Sequence, residues 1–166
     1  MNEHTLAQQI VLAAVADGVR IGTAESLTAG MVASALATVP GASAALQGGI
    51  VSYQSDVKSG VLGVDRDLLA REGAVHPDVA RQMAEGARRV LGADIAVSTT
   101  GVAGPEPHGG KPVGTVFIGT ADADGSDAVA FTFSGGRAEI RAQAEEAALE
   151  QLLEAIQRTT AARGQR

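Results

Sequence analysis

Three short stretches of this 166-residue chain carry residues able to do chemistry, each where an apolar run gives way to small or polar residues. In Ala24-Glu25-Ser26-Leu27-Thr28-Ala29-Gly30, a predicted strand runs into a serine and a helix is predicted to begin near Thr28. A hydroxyl so placed stands beside the unpaired N–H groups of a helix N-terminus, which can hold an oxyanion or a phosphate. Ser26 and Thr28 fit equally the plainer use of capping that helix. The stretch Gly48 to Lys58 holds the only tyrosine, Tyr53, with Lys58 shortly after it. A helical turn over 54–57 would fold Lys58 back beside Tyr53; otherwise Tyr53 packs at a sheet edge and Lys58 is a solvated charge. The third stretch, Ser98 to Pro105, sets Thr99, Thr100, Gly101 and Gly104 behind a strand. Small hydroxyl residues among glycines let a backbone approach a ligand closely. They also make an ordinary turn, and neither a Walker A loop nor a GxGxxG spacing is present.

The elements that must position these residues follow from periodicity and punctuation. Leu6, Ile10, Ala13 and Ala14 share one face of an opening helix that Asp17-Gly18 ends. A strand over Val19–Ala24 precedes a helix over Thr28–Thr38, which Pro40-Gly41 stops. A strand over Gly48–Tyr53 and a short helix over Ser55–Leu62 come next. Pro77 to Leu91 reads as a helix, with Pro77 at its first position and Gly92 closing it. Ile95–Thr99 is an apolar strand, and a Gly- and Pro-rich loop runs from Gly101 to Pro112. Strands over Val113–Thr120 and Ala128–Phe133 form a hairpin through Asp122-Ala123-Asp124-Gly125. A final helix over about 137–157 carries Leu149, Leu152, Leu153 and Ile156 as its apolar stripe, with 163–166 expected to fray. Helices alternating with strands predict an α/β fold, a three-layer α/β/α sandwich whose hairpin makes the sheet mixed. Open sheets of this kind bind ligands at strand ends, where all three stretches fall.

Composition narrows the function classes. Apolar residues make up 45% of the chain and aromatics 2%, so alanine, valine and leucine must fill the core, while 21 glycines suggest close helix–sheet packing. A single domain over 1–166, with its core at about 5–157, is expected from the length. The net charge of −6 argues against a nucleic-acid footprint, though a few local donors suffice for one phosphorylated small molecule. Without cysteine there is no disulfide, thiolate catalysis or cysteine-bound zinc. His4, His76 and His108 show no ligand spacing, so no metal is expected; His76 reads as a helix-start residue, and the Glu145-Glu146 and Asp65/Asp67 pairs as solvated faces. The polar start and the lack of an apolar run of ~20 residues predict no signal peptide, no membrane association and a cytoplasmic protein.

Taken in order, AESLTAG, GGIVSYQSDVKSGVLGV, GAVHPDVARQMAEGA, STTGVAGP, KPVGTVFIG and FSGGRAEIRAQA resemble the C-terminal domain family of the competence-damage-inducible protein CinA. The resemblance runs from about Leu6 to Ile156. It implies that family's fold and the activity of its stand-alone versions, amidases that hydrolyse nicotinamide mononucleotide to nicotinate mononucleotide and ammonia in pyridine-nucleotide salvage. The family's serine, tyrosine and lysine fall on Ser26, Tyr53 and Lys58. Its substrate-binding positions fall on Thr28, Ala29, Gly30, Thr100, Gly101 and Gly104, with the late arginine on Arg137. Two positions depart: Ala29 stands where the family commonly has glycine, and Gly136 where it often has an acidic residue. The N-terminal pyrophosphatase-like domain of longer relatives is not expected within these residues.

On that resemblance, Ser26 would attack the carboxamide and Lys58 would take its proton, with no cofactor required. An ordinary lysine, with a pKa of roughly 10.4, is charged at neutral pH, so burial and a helix N-terminus would have to lower it. Tyr53 is expected to bridge the two, and N–H groups of 26–30 to hold the oxyanion. The expected partner is the nicotinamide nucleotide, and a homo-oligomer is anticipated. The rival from another class is a non-catalytic nucleotide-binding regulatory module, which would use Thr100, Gly101, Gly104 and Arg137 without needing a base.

Overall fold

The computed structural model describes residues 4–165. Five strands form one mixed sheet: β1 (Ile21–Glu25), β2 (Leu46–Val51), β3 (Ile95–Gly101), β4 (Thr115–Ala121) and β5 (Ser126–Thr132), in the order β2-β1-β3-β4-β5. The first three run parallel, and β4 and β5 return antiparallel. The central β1 and nearly all of β3 are buried, as strands covered on both faces must be. One face packs against α1 (Leu6–Ala16), α2 (Met31–Ala37) and α6 (Arg137–Gly164) through residues such as Ile10, Leu36, Val97, Ile140 and Leu152. The other packs against α5 (Pro77–Leu91), with Leu62, Val79, Met83 and Ala96 at its centre. This is the expected three-layer α/β/α arrangement with a mixed sheet.

Glycine and alanine let the layers approach. Gly119 of β4 lies under α5, where a Cβ would run into the Ala80 carbonyl, and a Cβ at Gly86 of α5 would meet the Leu62 carbonyl. Caps follow the sequence signals. Thr5 and Gln8 form a capping box on α1, and His76 Nδ1 accepts the Asp78 N–H at the start of α5. In the hairpin turn, Asp122 accepts the Asp124 and Gly125 N–H groups.

Several expectations are corrected. A helix α4 (Arg66–Glu72) was not foreseen: Asp65, read as a solvated charge, caps it by accepting the Asp67 N–H, and the helix is too short for its period to show. α6 runs past the expected end, because Thr160 donates to Asp17 Oδ2 and Arg163 to the Asp17 carbonyl, pinning the last turns to the end of α1. Arg166, the end of the segment expected to fray, lies outside the described residues, as do positions 1–3 of the polar start.

The connection from β1 to α2 differs most. α2 begins at Met31 rather than near Thr28, because Ala29 (φ 47°) and Gly30 (φ 98°) both occupy the left-handed region. Glycine adopts that region freely, whereas an alanine Cβ crowds the following carbonyl. The departure at Ala29 thus falls where a side chain is strained. Ala29→Gly is expected to raise stability by about 1 kcal/mol in urea unfolding; an unchanged or lower midpoint would show that the turn carries no strain.

Candidate active site

Lys58 sits on α3 (Ser55–Gly60), directly after the end of β2, and its side chain folds inward. It is 1% exposed, the largest fully buried side chain in the described chain. Its Nζ lies 2.9 Å from Ser26 Oγ, 2.8 Å from the Ser52 carbonyl and 3.2 Å from the Tyr53 carbonyl. Among the described residues it forms no ion pair with a carboxylate. Burial therefore acts unopposed on the charged form and lowers its pKa to about 8.

The three partners also fix the direction of proton flow. A neutral amine has two N–H donors and one lone pair. The Ser52 and Tyr53 carbonyls can only accept, so they take the two donors. The lone pair is left for the one partner that carries a proton, the Ser26 hydroxyl. When Lys58 is charged, its third N–H turns to Ser26 Oγ instead. The same cradle serves both protonation states, as an exchange of one proton between Ser26 and Lys58 requires.

Both groups open into a cavity of about 370 Å³ at the C-terminal ends of the parallel strands. Tyr53, Thr100, Gly101, Gly104 and Arg137 line it too, so seven of the ten residues singled out by sequence face this cavity, and Thr28, Ala29 and Gly30 do not.

 Ala29 and Gly30 line a separate shallow depression beside α2, and Thr28 is wholly buried beneath the turn.

Two expected roles are corrected by the geometry. The Tyr53 hydroxyl does not bridge Ser26 and Lys58: it accepts a hydrogen bond from Arg137 Nη2 at 2.9 Å, and only the Tyr53 carbonyl touches Lys58. Arg137 Nη1 also donates to the Gly104 carbonyl at 2.7 Å, so the guanidinium spans two walls of the cavity. The Ser26 N–H is not free for an oxyanion, because it donates to Thr99 O at 3.0 Å and Thr99 Oγ1 at 3.2 Å. The Ala29 N–H is likewise spent on the Ser26 carbonyl. Leu27, which lines the cavity, has an N–H without an acceptor among the described residues. It is the donor best placed by connectivity to meet an oxyanion formed at Ser26.

Sequence reasoning missed Glu25 and Arg141, and named Thr99 only as part of a glycine-rich loop, without the contact it makes to Ser26. Arg141 Nε donates to the Leu27 carbonyl at 2.8 Å and holds the turn from the side of α6. Glu25 had a visible signal, a charged residue at the end of a short buried strand. Arg141 had none, since it lies far along the chain from the turn it grips.

Comparison with known proteins agrees with this architecture. The CinA C-terminal domain family matches residues 3–156. A CinA-like protein from Frankia casuarinae is 51% identical over 130 residues, covering 78% of this chain and 30% of that protein. Another, from Anaeromyxobacter sp., is 48% identical over 147 residues, covering 87% and 36%. The chain thus spans about a third of the length of the curated relatives it matches. Among solved structures, a CinA superfamily protein from Klebsiella pneumoniae superimposes with a TM-score of 0.89 at 33% identity, covering 95% of this chain and 99% of that one. The competence/damage inducible protein CihA from Agrobacterium tumefaciens gives 0.84 at 35% identity, again covering 95% and 99%.

Burial of Lys58 has a consequence for stability. Its pKa is lower in the folded chain than in the unfolded one, so the unfolded state binds more protons between about pH 8 and the ordinary lysine value. Stability therefore rises with pH across that window, as the cost of the buried charge is removed. Relative to Lys58→Met, in which no charge is buried, the wild type should gain about 2–3 kcal/mol in urea unfolding between about pH 7 and about pH 10. A difference that stays flat would mean the amine is not desolvated.

Proposed function

The chain belongs to the CinA C-terminal domain family, and from that premise we propose that it is a nicotinamide-nucleotide amidase with Ser26 as nucleophile and Lys58 as base. One observation carries the reading: a buried lysine amine, unpaired with any carboxylate among the described residues, 2.9 Å from a serine hydroxyl at the wall of a cavity. A binding module gains nothing from burying an amine in this way, whereas a serine needs such a base to attack an amide.

In this reading the neutral Lys58 amine takes the Ser26 proton as Oγ attacks the carboxamide carbon. The oxyanion forms beside the Leu27 N–H. Collapse of the tetrahedral adduct breaks the C–N bond, and the Lys58 ammonium returns its proton to the departing nitrogen, which leaves as ammonia. A nicotinoyl ester remains on Ser26. Water then attacks that ester with Lys58 again as base, releasing nicotinate mononucleotide and restoring the serine. Arg137 supplies the cavity's guanidinium, the natural partner of the nucleotide phosphate. Binding would exchange its contacts with Tyr53 and Gly104 for phosphate oxygens. Pyridine-nucleotide salvage is the role this reaction suits.

The test is ammonia release from nicotinamide mononucleotide by the purified protein. Ser26→Ala and Lys58→Met should each lower kcat by ~10³-fold or more, and Arg137→Ala should raise KM more than it lowers kcat. The wild-type rate should climb with pH and level off above about 8, as the amine loses its proton. Wild-type turnover by Ser26→Ala, or no ammonia from the wild type, would refute the proposal.

A further inference from the structure

Among the described residues, Glu25 is the one buried carboxylate, and the reaction above leaves it unused. It is 1% exposed at the end of β1, directly before Ser26. Its Oε1 accepts from Thr28 Oγ1 at 2.7 Å and the Val32 N–H at 2.9 Å, and its Oε2 from Thr23 Oγ1 at 3.2 Å and the Ala33 N–H at 3.0 Å. Two of these donors are N–H groups of the first turn of α2, which otherwise has no side-chain cap.

These contacts settle a direction that distance alone leaves open. Thr28 Oγ1 and Thr99 Oγ1 lie 2.8 Å apart, and either could donate. A hydroxyl has one proton, and Thr28 gives its proton to Glu25. Thr99 must therefore donate to Thr28, which leaves Thr99 Oγ1 to accept the Ser26 N–H. The bonds run one way, from the Ser26 amide through Thr99 and Thr28 to Glu25. Thr99 stands opposite Glu25 in the β1–β3 pairing, so sheet register brings the relay together.

We infer that Glu25 is a positioning residue for Ser26: through Thr28 and Thr99 its carboxylate fixes the backbone of the nucleophile, and with it the aim of the hydroxyl at Lys58. The turn after Ser26 contains two left-handed residues, so the relay adds a side-chain restraint to the backbone bond from the Ser26 N–H to Thr99 O and to the grip of Arg141 on Leu27, and small misplacements of reacting groups are costly. The inference rests on the assignment of Ser26 as nucleophile, and needs no particular amide substrate.

The experiment compares wild type, Glu25→Gln, Thr99→Val and Thr99→Ser by ammonia release from nicotinamide mononucleotide and by the rate at which a fluorophosphonate probe labels Ser26. Glu25→Gln turns an acceptor into a donor facing donors, Thr99→Val cuts the relay at constant shape, and Thr99→Ser restores the hydroxyl. Labelling and kcat should both fall, about 10-fold for Thr99→Val and about 10²-fold for Glu25→Gln, with KM nearly constant and Thr99→Ser close to wild type. If Glu25→Gln does not fold, the Thr99 pair decides by the same criteria. Labelling in that order without ammonia release would sink the amidase reading and support this one. Equal labelling of wild type and Thr99→Val, equal losses in Thr99→Val and Thr99→Ser, or no labelling of wild-type Ser26 would overturn it.

Discussion

A lysine amine shut away from water, with carbonyls around it and no carboxylate of the described residues in contact, is the interaction on which the site depends. Burying a charge without a counter-ion is costly, and the cost is relieved when the group gives up its proton. Pairing Lys58 with an acid would have removed that cost and also its basicity. Carbonyl oxygens orient the amine while leaving its charge uncompensated. The site thus trades some folding stability at neutral pH for a base able to act there.

The fold supplies this arrangement through its strand ends. β1, β2 and β3 run parallel, so the turn carrying Ser26, the segment leading to Lys58 and the loop beyond β3 emerge at the same edge. The switch to antiparallel pairing at β4 returns the chain beneath that loop, and α6 then brings Arg137 to the loop and Arg141 to the turn that carries Ser26. With few aromatics available, glycine and alanine bring helices close to the sheet.

Much of this was legible in the sequence. Pro77 and Gly92 bracket α5 at the expected residues because proline and glycine act locally, through backbone geometry. The sheet's mixed character followed from one turn-rich hairpin. What escaped depended on contacts between distant segments. The length of α6 is set by Asp17, the start of α2 by left-handed residues that no periodicity reveals, and the contacts of Tyr53 by Arg137. Residue types at the site could be read directly. Which atom of each faces the chemistry could not, and Tyr53 acts on Lys58 through its carbonyl rather than its hydroxyl.

The protonation of Lys58 can be observed without any substrate. Selective ¹³C labelling of lysine, with the Lys58 Cε resonance assigned through Lys58→Met, allows that one side chain to be titrated by NMR in the folded protein. A midpoint near 8 is expected. A midpoint at the ordinary lysine value of roughly 10.4 would show an amine that stays charged at neutral pH and cannot serve as the base.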